Sequence, residues 1–65
     1  MIHINYFILE LSKYKELTGK EPIGAVLQNW FYIKIKDEIE ANYEIDKLFG
    51  LDIIHGNGEN IIYFY

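Results

Sequence analysis

The sequence predicts a small α+β domain: three short helices followed by a C-terminal β-hairpin, with a short extra strand as an option. Three observations predict it. Apolar residues recur at helical spacing through most of the chain. Gly19 and Gly50 fall where two of these periodic runs stop. The final stretch, LDIIHGNGENIIYFY, sets two apolar runs around an Asn-Gly pair. That pair is a strong signal for a tight hairpin, because a type I′ turn needs positive φ at both central residues.

Residues 5–18 read as the first helix. Tyr6, Phe7, Leu11, Tyr14 and Leu17 share one arc, with Ser12, Lys15 and Glu16 opposite. The first residues also fit a short strand over 2–5, since Ile2, Ile4, Tyr6 and Ile8 alternate with His3 and Asn5. The second helix is expected over 22–33. Pro22 suits a first turn, where its missing N–H costs nothing. Ile23, Val26, Leu27, Trp30 and Phe31 then share a face, with Trp30 as the core anchor. Residues 31–36, FYIKIK, fit either a helix or a strand. One continuous helix over 22–49 would be about 42 Å long at 1.5 Å per residue, too long for so small a domain.

Asp37 followed by Glu40 resembles an N-cap carboxylate with its reciprocal Glu. The third helix is therefore expected over 38–49. Its core arc is Ala41, Ile45, Leu48 and Phe49. Asp37, Glu40 and Glu44 form an adjacent acidic arc, and Ile39 and Tyr43 a second apolar patch. The hairpin follows, with Asn57-Gly58 as its turn. That register pairs Ile54 with Ile61, Ile53 with Ile62, Asp52 with Tyr63 and Leu51 with Phe64. Leu51, Ile53, Ile62 and Phe64 become the core face. Asp52, Ile54, Ile61 and Tyr63 become the other.

This order of elements resembles a winged helix-turn-helix domain, with 22–33 and 38–49 as the two-helix unit and the hairpin as the wing. In such domains the helix before the wing enters the major groove. Here that helix would bring Asp37, Glu38, Glu40, Glu44 and Asp46 against a single Lys47. DNA binding depends on neutralising phosphates, and all six basic residues of this chain are Lys. Direct nucleic-acid binding is therefore not expected. A winged-helix DNA-binding accessory or regulatory protein, acting as a dimer through Lys13, Lys15, Lys34 and Lys36, is the alternative reading.

Composition narrows the remaining choices. Sixty-five residues make one domain. A chain of this size buries only about 60% of its unfolded surface, so its core is thin. It has no Cys to staple that core. Half of it is hydrophobic (51%), and 17% is aromatic, more than such a core needs. The formal charge is −4. No basic leader and no long apolar run are visible, so a cytoplasmic location without a membrane span is expected. His3 and His55 lack an oriented third group, and the acidic residues lack the ligand order of a calcium loop. No enzyme activity, cofactor or metal is expected.

The expectation is a non-enzymatic protein-binding module. Its concrete form is a small acidic inhibitor or adaptor that occludes a basic, nucleic-acid-binding surface of another protein. Small acidic phage-type proteins that block such enzymes share this size and charge. The expected partner-binding residues are Asp37, Glu40 and Glu44 for charge, with Ile39 and Tyr43 for apolar contact. A homodimer is expected through Ile54, Ile61, Tyr63 and Tyr65, whose hairpin face is too apolar for free water.

Overall fold

The first helix, α1, forms where the periodicity places it but starts earlier, over Ile2–Thr18. Ile4 and Phe7 are buried, and Leu11 and Tyr14 pack behind them. Gly19 ends the helix in the left-handed conformation (φ 67°), its N–H donating to Lys15 O at 2.8 Å. No strand forms over 2–5. A carboxylate from far along the chain settles this: Glu38 accepts from the backbone N–H groups of His3 (3.0 Å) and Ile4 (2.9 Å). Those are helix-terminal donors with no partner in their own helix, and α1 has no side-chain cap of its own. His3 Nδ1 completes the clasp, 2.5 Å from Glu38 Oε2.

The computed structural model describes all 65 residues and corrects the rest of the expected architecture. There are two helices and a four-stranded mixed sheet, not three helices and a hairpin. After α1 come β1 (Gly24–Gln28), α2 (Asn29–Glu38), β2 (Lys47–Leu48), β3 (Leu51–Gly56) and β4 (Ile62–Phe64). Sheet order is β2-β3-β1-β4. β1 runs parallel to β3 and antiparallel to β4, so it lies between the two strands that were expected to pair.

The proposed second helix thus divides at Gln28. Residues 24–28 are a central strand, bonded on both sides, and a short apolar run of this kind carries no periodicity that separates strand from helix. Pro22 lies in the connection before it, not in a helical first turn. Residues 29–38 then resolve the FYIKIK ambiguity as α2, with Phe31, Tyr32 and Ile35 buried on its inner side. Trp30 is 49% exposed and anchors no core.

The third helix is absent. Asp37 is in the last turn of α2, not an N-cap, and Glu40 takes a positive φ of 56° just past the end. Ala41 N–H donates to Lys36 O (3.0 Å) and Glu40 N–H to Asp37 O (3.2 Å), the bond pair of a Schellman C-cap. The chain then turns back along the sheet. Ile45 is buried, its N–H donating to the Tyr32 hydroxyl at 2.8 Å, and Asp46 O accepts from Ile53 N–H at 3.0 Å. Tertiary pairing along β3 therefore overrides local helix propensity in 41–48. The true hairpin joins β2 to β3 through Phe49-Gly50, both at positive φ (51° and 78°). Phe49, expected in the core, stacks on Phe7 at 5.9 Å between centroids but stays half exposed. Leu17 and Ile23, also expected inside, are outside.

Both helices pack on one face of the sheet. The core comprises Ile4, Phe7, Ala25, Leu27, Phe31, Tyr32, Ile35, Ile45, Leu51, Ile53 and Phe64. No helix is long and apolar enough to cross a membrane.

Two substitutions test these locking points. Burial opposes ionisation of Glu38, but the His3 and Ile4 N–H donors and the His3 ring outweigh it, holding its carboxyl at about 2 instead of the ordinary 4.5. A depressed folded-state value stabilises above the unfolded one and is lost as pH falls through the folded one. The stability advantage of the native chain over Glu38→Gln should therefore be full above pH 4.5 and fade as pH falls towards about 2. Urea midpoints across that range check it. Glu40→Gly should raise stability by up to about 1 kcal/mol, since a side chain in the left-handed region costs about 1–2 kcal/mol and glycine's lost entropy offsets part of the gain. Thermal unfolding reads that change.

Candidate protein-binding surface

Side chains alternate across a strand, so a sheet with helices on one face presents the other half of its residues to solvent. Here the register aligns Ile54, Val26 and Tyr63 across β3, β1 and β4 on the uncovered face. Ile54 is 51% exposed and Tyr63 56%. Tyr65, just past β4, lies beside them. Its backbone holds the N–H groups of Ile23 (2.6 Å) and Gly24 (3.3 Å), and its ring lies over Gly24. A Cβ on Gly24 would sit 2.5 Å from the Tyr65 hydroxyl and 2.7 Å from Asp52 O, so only glycine fits beneath that ring.

One rim of this face is charged. Lys47 Nζ and Asp52 Oδ1 pair at 2.6 Å across β2 and β3. The hydrogen bond that Lys47 donates to Asp52, then the charges of Asp52 and Asp46, push its ammonium above its ordinary value. Of the four residues expected at a dimer interface, Ile54, Tyr63 and Tyr65 share this face, though not through the expected hairpin. Ile61 does not: it lines an apolar hollow on the helical side with Ile2, Tyr6, Trp30 and Phe31. Val26 and Gly24 were missed, because their strand was read as helix.

The expected partner-binding set is scattered. Asp37 lies in the last turn of α2, while Glu40 and Tyr43 lie exposed in the following loop, and none of the three forms an ion pair or side-chain hydrogen bond. Ile39 packs against the core. Glu44 Oε1 lies 3.0 Å from His55 Nε2. These five residues do not form the single helical face expected of them.

A second cluster occupies the C-terminal ends of the parallel strands, where open α/β sheets commonly bind ligands. A cleft of about 360 Å³ there is lined by Gln28, Asn29, Trp30, Gly56, Asn57 and Gly58. Its side chains are occupied with one another. Asn29 Nδ2–H donates to Asn57 Oδ1 (2.9 Å), Gln28 Nε2–H to Gly58 O (2.7 Å) and Trp30 Nε1–H to Gln28 Oε1 (2.7 Å). His55 stacks on Tyr32 at 4.0 Å, and its Nδ1 lies 2.9 Å from Asn29 Oδ1. Both ring nitrogens thus have a partner within the fold. The cluster ties the loop after β3, and the segment before β2 that carries Glu44, to the start of α2. Nowhere do three or more His, Asp or Glu side chains converge as a metal site would require.

No protein-family model, curated protein or solved structure matches this chain.

The tight fit beneath Tyr65 has a direct test. Gly24→Ala should cost about 1–3 kcal/mol, the range for an added methyl with no room. The Asp52 carbonyl is backbone and cannot step aside, so Tyr65→Ala in the same chain should restore only part of the loss. Chemical denaturation of the two variants measures both effects.

Proposed function

We propose that this chain is a non-enzymatic protein-binding module: a small acidic inhibitor or adaptor that covers an apolar patch with a basic rim on another protein. The observation that carries this reading is the uncovered sheet face, where Ile54, Val26 and Tyr63 form an apolar row with Tyr65 beside it. Tyr suits such a face, with its apolar ring and polar tip. Charge supplies orientation. Asp37 and Glu40 are unpaired acids in a chain of net charge −4. Long-range attraction of that kind speeds and orients encounter with a basic surface. The winged-helix alternative falls with the fold on which it depended.

A photo-crosslinking side chain at position 54 in the native host should capture one protein. The same group at Ser12, on an exposed part of α1, should not. Capture should weaken with added salt and with the paired change Asp37→Lys and Glu40→Lys. Tight binding of duplex DNA that falls steeply with salt would overturn this reading. So would equal capture from both positions.

A further inference from the structure

The free edge of the sheet is a different surface from its open face. Tyr65 N–H donates to Gly24 O, and Ile61 O accepts from Gln28 N–H, each at 3.0 Å. Alternation along an antiparallel strand then turns the N–H and C=O groups of Ile62 and Phe64 away from β1. No strand meets them, because β4 ends the sheet. Exposed edges are usually blunted by Lys, Pro, a bulge or shortness. Residues 60–65, NIIYFY, contain no charge and no Pro. The opposite edge is blunted: β2 is two residues long and carries Lys47.

α1 lies over the same flank. Phe7 and Tyr14 both touch Phe64, at 5.6 and 5.4 Å between centroids, and Tyr6 and Glu10 border residues 60–62. Ile2, Tyr6, Leu9 and Leu17 form one exposed stripe at helical spacing along α1, with Leu17 85% exposed. Midway along it Glu10 and Lys13 sit one turn apart, 3.3 Å from each other.

We propose that two copies of this chain join edge to edge about a two-fold axis at Tyr63, β4 pairing antiparallel with β4 and α1 with α1. The register is self-complementary. Ile62 of each copy faces Phe64 of the other and exchanges both backbone bonds, and the two Tyr63 residues stand opposite each other. An isologous contact of this kind closes at two copies. Antiparallel α1 helices bring Glu10 of each copy towards Lys13 of the other, so this pair of charges attracts. A stable interface covers about 800 Å² per partner, a little under a fifth of the 4524 Å² surface of this chain. Three residues of edge do not supply that area; the α1 stripe supplies the remainder. The union also joins the two open faces, so that Tyr63 of one copy continues the apolar row of the other.

Sedimentation equilibrium at tens of micromolar should give twice the 7.7 kDa chain mass. Amide exchange at Ile62 and Phe64 should slow at least tenfold as concentration rises through the association range. Tyr63→Lys sets like charges at the axis, and Leu17→Glu charges the helical stripe. Each should weaken association at least tenfold with circular dichroism unchanged. Ile54→Glu should leave the dimer intact, which separates this contact from partner binding on the open face. A monomer at every concentration would overturn the proposal. So would a dimer whose Ile62 and Phe64 amides exchange freely, or one indifferent to both charged variants.

Discussion

β1 occupies the position on which every other element depends. Its five residues are bonded to β3 on one side and β4 on the other. Its inward pair, Ala25 and Leu27, is buried beneath the helices, and Gly24 admits the Tyr65 ring on the opposite face. A parallel partner on one side requires a crossover, and α2 supplies it. An antiparallel partner on the other side draws the last strand across the front of the sheet. The two helices then have one floor to cover, and the core forms there.

The faces of β3 and β4 were legible in the sequence; their neighbours were not. Leu51, Ile53 and Phe64 were expected inside, and all three are buried. Ile54 and Tyr63 were expected outside, and both are exposed. Those assignments follow from alternation alone and survive a wrong partner strand. The pairing did not survive. Asn57-Gly58 offered the stronger local turn, yet the two-residue turn formed at Phe49-Gly50, where stacking on Phe7 accompanies an unfavourable φ for an aromatic residue. The end of α1 was read well, because a local glycine, Gly19, makes it; the end of α2 was misread, because Glu40 and not a glycine takes the left-handed position there. The start of α1 was misread because a distant residue caps it. Nothing near His3 announces that Glu38 will clasp it, since the two are separated by 35 residues.

The candidate surface shows the same division. Ile54, Tyr63 and Tyr65 were identified as too apolar for solvent, and the sheet places them together. The acidic set was read from helical geometry that residues 39–46 do not adopt, so its members separate into a core contact, a partner for His55 and three free surface groups. Charge remains in the region because composition is indifferent to conformation. Its arrangement is set by the return of the chain along β3.

The clasp between Glu38 and the start of α1 also orders events during synthesis. α1 precedes the other five elements in sequence, yet its cap is made by the end of α2 and its apolar side rests on strands that follow. Phe7 meets Phe64 across nearly the whole length of the chain. Such distant partners must close large loops before they gain anything. While the middle of the chain is being made, residues 2–18 therefore lack both the cap and the apolar cover that the finished fold gives them.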